Sequence, residues 1–212
     1  MLAERLADTI FPLGQGFLLY ASLIMVVGPQ NLFVLKQGLC RRHLFVTAFF
    51  CTLADFFLTG LAVGGLGVVI SDSQKLTFIT TLGGALFLTY CGVRSLGAAW
   101  CFRPLTGDGK DCLLPLSISL KRTVIVTLSF ALLNPAAYVD TLLIVGTASA
   151  QYPTEKRVLF GAGAVLASGL WFFTLTYGLS RLSPLLQHPK AWRALDIISG
   201  SIMISMACYL LA

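Results

Sequence analysis

Hydrophobic residues in this chain are grouped in long runs that short polar connectors separate. A bilayer core about 30 Å thick needs about 20 apolar residues in a helix that rises about 1.5 Å per residue. Six runs of suitable length occur, at about 13–35, 44–70, 76–100, 123–150, 158–179 and 195–211. The pattern predicts an all-α polytopic membrane protein with six transmembrane helices in one transmembrane domain.

The composition excludes several classes of protein. Hydrophobic residues make up 57% of the chain and charged residues 11%, whereas soluble domains are about 25% charged. The net charge of +6 is not attached to a basic polar domain, so nucleic acid is not a predicted partner. The cysteines are scattered and both histidines fall in loops, so the sequence predicts no metal and no cofactor.

The distribution of Lys and Arg predicts the orientation in the membrane. Of the 15 basic residues, 11 fall in the first, third and fifth connectors, and Lys36 is counted in the first of these. Cytoplasmic loops carry an excess of Lys and Arg. We therefore expect the long central connector, residues 102–122, to be cytoplasmic and both termini to be periplasmic.

Two of the predicted spans contain a helix breaker beside polar amides. The first run contains Gly28-Pro29-Gln30-Asn31, and the fourth contains Asn134-Pro135. Proline removes a backbone hydrogen bond and clashes with the preceding turn, so both helices are expected to break at these positions. The alternative is a pair of ordinary proline kinks that only shape packing.

The position of the breaks suggests an internal repeat. Irregular backbone at membrane depth is tolerated only where it is buried in protein or lines a cavity. Paired breaks in the first helix of each half point to inverted repeats with a binding site at their interface. The prediction is two inverted three-helix repeats, at about 10–101 and 123–212, with broken first and fourth helices.

Two carboxylates lie inside the predicted spans, and neither has a basic residue in its own span. Ionisable groups at membrane depth are rare and mark functional sites. At about 1.5 Å per residue, Asp55 and Asn134 both lie roughly 18 Å from the cytoplasmic ends of their spans, whereas Asp140 lies nearer the outside. Each aspartate can hold a proton or attract a cation. The alternative is a neutral aspartic acid that is hydrogen-bonded to neighbouring hydroxyls.

Several segments together resemble the LysE/ArgO family of basic amino-acid exporters, over essentially the whole chain. They are residues 28–38, 51–55, 83–94, 133–141 and 191–196. The resemblance implies a bacterial inner-membrane exporter of lysine, arginine or analogues, with substrate or proton-coupling roles for Gln30, Asn31, Asp55, Asn134 and Asp140. One departure is Ala136, at a position where many members have histidine.

The predicted function is secondary active export, coupled to protons. Efflux of a cation is opposed by about 2.3 kcal/mol per 100 mV of membrane potential, and exchange for one proton removes that opposition. The chain has no P-loop for ATP. The alternatives are export of neutral amino acids such as homoserine, threonine or leucine, and an intramembrane enzyme. The intramembrane enzyme is disfavoured because an aspartyl protease needs two carboxylates side by side, whereas the estimated depths separate Asp55 from Asp140. The sequence leaves open a homo-oligomeric state within the lipid bilayer.

Overall fold

The protein is helical throughout the part that the computed structural model describes, which comprises residues 2–26, 28–65, 74–100, 119–182 and 189–211. In chain order the elements are α1 (Leu2–Ile24), α2 (Pro29–Cys40), α3 (Leu44–Val63), α4 (Gln74–Trp100), α5 (Leu120–Leu132), α6 (Pro135–Tyr138), a π-helical segment (Val139–Val145), α7 (Gly146–Ala150), α8 (Thr154–Leu182) and α9 (Pro189–Leu211). No strand occurs in these ranges. The predicted all-α class is confirmed.

Two of these helices are each long and apolar enough to cross a membrane, within the described ranges. They are α3 and residues Thr154–Arg181 of α8, and a third span results if Thr9–Ile24 and α2 count as one bent crossing. These helices support a multi-pass membrane protein. The count of six spans stays a prediction.

The helical path is interrupted at both sites where the sequence predicted a break. The first interruption separates α1 from α2, whose axes differ by 83°. The second separates α5, which ends at Leu132, from α6, which begins at Pro135. Both prolines stand at the first position of the new helix, where the missing N–H has no intrahelical partner to lose. Each proline therefore starts a helix and does not kink a continuous one.

A cluster of aromatic rings holds the two interruptions near each other. Phe33, in the first turns after the first break, stacks on Phe130, which shortly precedes the second, with ring centroids 4.8 Å apart. Phe87 of α4 meets Phe130 edge to face, also at 4.8 Å. Phe33, Phe130 and Phe172 of α8 are each at most 2% exposed. The core thus lies between the elements that flank the breaks.

Glycines allow two pairs of helices to approach closely. A Cβ atom on Gly16 of α1 would lie 2.0 Å from the carbonyl oxygen of Phe160 in α8, and one on Gly163 would meet the backbone of α1 equally closely. In the other pair, a Cβ on Gly200 of α9 would lie 3.0 Å from the carbonyl oxygen of Gly92 in α4. Small residues commonly permit such contacts between membrane helices.

The structure corrects the assignment of one basic residue. Lys36 was predicted to lie in the first connector, but it lies within α2 and is 7% exposed. The reason is that the helix restarts at Pro29, so the second half of the broken span continues to Cys40. The predicted orientation therefore rests on the remaining connector charges.

Candidate functional site

A cavity of about 130 Å³ lies at the first helix break. Its described lining comes from both sides of that break, from α3, α8 and α9, and from the chain around the second break. The polar side chains of the lining are Tyr20, Gln30, Asn31, Asp55, Asn134 and Thr141. Gly28 and Pro29 also contribute. The fold thus brings most of the predicted site residues around one space.

Asp55 occupies the junction of three helices beside this cavity. Its side chain is 4% exposed, and Oδ2 accepts a hydrogen bond of 2.6 Å from Ser168 Oγ on α8. The hydroxyl of Tyr20 on α1 also donates to the carboxylate. Asp55 is the one charged side chain among the described residues of the lining. The geometry suits a group that holds a cation or a proton.

Asn31 is engaged with the broken end of α1. Its Nδ2 donates to the carbonyl oxygens of Ile24 and Val26, at 2.7 and 2.8 Å. Its Oδ1 accepts a bond of 3.2 Å from Nε1 of Trp171. A helix end leaves carbonyls without intrahelical partners. Asn31 satisfies the carbonyl of Ile24, the last residue of α1, and that of Val26 in the bend. This amide therefore fixes the bend between α1 and α2.

A side chain plays a comparable part at the second break. The hydroxyl of Tyr138 donates to the carbonyl oxygen of Leu132, at 2.5 Å. Asn134 lines the cavity, and its backbone carbonyl accepts a bond from the N–H of Ala137. In both halves, then, a polar side chain that follows the proline caps a carbonyl that precedes it.

Two predicted site residues are located by their backbone alone. Pro135 begins α6, and Asp140 lies in the π-helical segment next to Thr141, which lines the cavity. The side chains of Pro135 and Asp140 lie outside what the structure describes. Single π-helical turns within helices occur frequently at functional sites.

Sequence reasoning missed the hydroxyl groups of the site. Tyr20, Ser168 and Thr141 are at most 5% exposed and lie in predicted spans. Each is a polar residue within an apolar run, and that signal could have selected them. Nothing in their spacing indicates that Ser168 and Tyr20 meet Asp55, because the three residues lie on three different helices.

A second buried polar group lies apart from the described cavity lining. Nζ of Lys36 forms an ion pair of 2.8 Å with Oδ1 of Asp196 and donates to Ser95 Oγ at 2.7 Å. Ser95 Oγ lies 3.0 Å from Ser199 Oγ. The four side chains join α2, α4 and α9. Within the described ranges there is no cluster of three or more His, Cys, Asp or Glu that could hold a metal.

Comparison with known proteins gives one consistent family. Residues 21–212 match the family described as LysE type translocator. A protein named "Putative amino-acid transporter YggA" from Aeromonas salmonicida is 38% identical, over 92% of this chain and 93% of its own length. "Arginine exporter protein ArgO" from Yersinia enterocolitica is 35% identical, over 89% and 90%. No solved structure matches the chain.

Proposed function

The chain belongs to the LysE type translocator family, and we propose that it is a secondary active exporter of the basic amino acids L-arginine and L-lysine and their analogues. Family membership identifies a membrane transporter of amino acids and not an enzyme. The relative named as an arginine exporter supports the choice of a basic substrate. The bacterial inner membrane is the proposed location, with the central connector in the cytoplasm.

Asp55 is the observation that carries the proposal. A basic amino acid must lose water to enter a site built mainly of apolar helices, and an unpaired cation there is heavily penalised. The carboxylate of Asp55 is buried, is held by Ser168 and Tyr20, and forms no ion pair with a described Lys or Arg. It can therefore offset the charge of a cationic substrate.

Exchange of substrate for a proton on Asp55 is the proposed coupling. Export of one cation against an interior-negative potential is opposed by about 2.3 kcal/mol per 100 mV. When the substrate leaves, a proton can neutralise the same carboxylate, and one-for-one exchange is electroneutral. Gln30, Asn31 and Asn134 shape the same cavity. Because its estimated depth is nearer the outside, Asp140 is proposed to help open or close the outer side of the pathway.

The inverted repeat is part of the proposal, and the pattern of helix contacts supports it. If the predicted spans are numbered one to six along the chain, the contacts pair span one with span five, span two with span four, span three with span six, and span two with span five. Suppose that spans one, two and three are exchanged with spans four, five and six, respectively. The same set of contacting pairs is then obtained. Such a pattern is expected when two equivalent three-helix units are related by pseudo-two-fold symmetry.

Transport by the full chain in proteoliposomes tests the role of Asp55. Asp55→Asn removes the titrating group and keeps the size of the side chain. This variant should lose proton-driven arginine transport. It should also reduce exchange of internal for external arginine at least about tenfold, because an ion-pair partner is lost from a buried site. The matched control is Glu155→Gln, the same chemical change at an exposed residue in the first turn of α8.

The outcomes of this experiment are distinct. Normal, pH-dependent arginine transport by Asp55→Asn would contradict the coupling mechanism. Transport of each labelled amino acid in turn, namely arginine, lysine, homoserine, threonine and leucine, identifies the substrate class. Transport of the neutral amino acids and not of arginine or lysine would replace the proposed substrate with the alternative one.

A further inference from the structure

The N-terminus of α2 opens on the cavity that Asp55 lines. Helix α2 has 12 residues, and Gly28 precedes it without a side-chain cap. The first bond of the helix runs from the N–H of Leu32 to the carbonyl of Gly28, so the N–H groups of Gln30 and Asn31 precede the regular ladder. Gly28, Pro29, Gln30 and Asn31 all line the cavity. The positive end of the helix dipole therefore faces this space.

The side chain of Gln30 provides a second, independent observation at the same place. It is 8% exposed and lines the cavity. Its Nε2 atom is buried and has no nitrogen or oxygen partner among the described residues. The one group that bonds to this side chain there is the Cys51 thiol, which is a weak hydrogen-bonding group. A buried amide donor with so weak a partner is costly, so a ligand oxygen that accepts its hydrogen bond would lower that cost.

We propose that the N-terminal turn of α2 and Nε2 of Gln30 bind the α-carboxylate of the transported amino acid. This inference rests on the proposed transport of amino acids through the cavity. A zwitterionic substrate carries a negative charge that must also be compensated in an apolar site. Asp55 repels that charge. Helix N-termini and amide donors are the usual partners of carboxylates, and both occur together here.

The proposal divides recognition between two parts of the cavity lining. The cationic groups of the substrate are held by Asp55, and the carboxylate is held by the N-terminal turn of α2. Because Asn31 fixes the bend through the carbonyls of Ile24 and Val26, it keeps the start of α2 turned towards the cavity. Asn31 is a positioning residue in this arrangement, and Gln30 makes the contact.

Competition between arginine and its decarboxylated analogue agmatine tests the carboxylate site. In proteoliposomes with the full wild-type chain, arginine should inhibit exchange of labelled arginine at least about tenfold more strongly than agmatine, since a hydrogen-bonded charged group is lost in agmatine. Gln30→Leu should raise the KM for arginine about tenfold and leave inhibition by agmatine unchanged. The ratio of the inhibition constants of agmatine and arginine should then fall close to one.

Gln37→Leu is the matched control. Gln37 lies two turns further along α2, is 3% exposed and also has an unpartnered buried Nε2 among the described residues, but it does not belong to the described cavity lining. The wild-type preference for arginine over agmatine should persist in this variant. If the loss of any buried amide were the cause, the preference for arginine over agmatine would fall equally in Gln30→Leu and Gln37→Leu. That result would overturn the proposal.

Failure of this proposal can be told apart from failure of the proposed function. Equal inhibition of the wild-type protein by agmatine and arginine would overturn the carboxylate site even if no variant folds. An unchanged arginine preference in Gln30→Leu would also overturn it. If the wild-type protein transports neutral amino acids instead, the same comparison with leucine and isopentylamine, its decarboxylated analogue, tests the carboxylate site.

Discussion

At the scale of single residues, Asn31 is a clear case of a predicted site residue whose contacts define its role. The sequence identifies it as an amide inside an apolar span, next to a proline. In the structure, the amide donates to two carbonyls at the end of α1 and accepts from Trp171. In the proposed transport function, a residue so engaged acts on the substrate through the geometry of the break.

Substitution of Asn31 by aspartate and by alanine separates positioning from direct contact. Asn31→Asp turns a carboxylate oxygen towards the carbonyls of Ile24 and Val26, so we expect lower stability and weaker transport than in Asn31→Ala. A buried carbonyl left unsatisfied costs about 1–3 kcal/mol, and repulsion between the new carboxylate and the two carbonyl oxygens adds to the loss in Asn31→Asp. Thermal unfolding in detergent and initial rates of arginine exchange are the measurements.

A direct ligand of a cationic substrate would give the opposite order, because the added negative charge of Asn31→Asp would attract the substrate. Faster exchange by Asn31→Asp than by Asn31→Ala would therefore contradict the positioning role. Gln151→Glu, at an exposed amide after α7, controls for the effect of a new charge.

At the scale of helices, the ion pair of Lys36 and Asp196 fixes the second half of the broken span. It joins α2 to α9, and Ser95 adds a contact from α4. Helix α2 has only 12 residues and is cut off from α1 by the bend. Its position therefore depends on tertiary contacts such as this pair and the stacking of Phe33 on Phe130.

Removal of one partner of this pair should be far more harmful than removal of both. Lys36→Met leaves the buried carboxylate of Asp196 without its cation, so the free energy of unfolding should fall by about 3–5 kcal/mol. The double variant Lys36→Met with Asp196→Leu should recover most of that loss. Unfolding midpoints in detergent are compared with Lys121→Met, which removes an exposed lysine. Equal stability of Lys36→Met and the wild type would contradict this role.

At the scale of the whole molecule, close contacts between helix backbones set the arrangement around the cavity. Tyr20 and Ser168 reach Asp55 from α1 and α8, and these two helices meet across Gly16 and Gly163. The contact between the backbones thus determines how close the two hydroxyls come to the carboxylate.

Alanine at Gly16 should separate α1 from α8. The added Cβ would lie 2.0 Å from the carbonyl oxygen of Phe160, so we expect a loss of about 1–3 kcal/mol of stability together with slower transport. Gly14→Ala is the matched control two residues away, where a Cβ meets no atom within 4 Å. Alanine has the higher helix propensity, so this control should be neutral or stabilising. Equal unfolding midpoints for the two variants would contradict the close contact.

Much of the site could be predicted because it consists of exceptions to the composition of a membrane helix. Asp55, Asn31 and Asn134 stand out in runs where nearly every other residue is apolar. Lys36 could not be assigned correctly, because the length of a helix after a break depends on what it packs against. Its partner Asp196 lies 160 residues away, and no local pattern links them.

The sequence by itself determined the helical membrane class and the two helix breaks. Both follow from short-range physics, namely the solvation of apolar side chains and the backbone restrictions of proline. The tertiary structure alone decided which side chains meet. Ser168 reaches Asp55 across 113 residues of sequence, and the amide of Asn31 turns back to bond the carbonyls of Ile24 and Val26. Such contacts depend on helix packing between distant segments, where a single Cβ atom is enough to change the spacing.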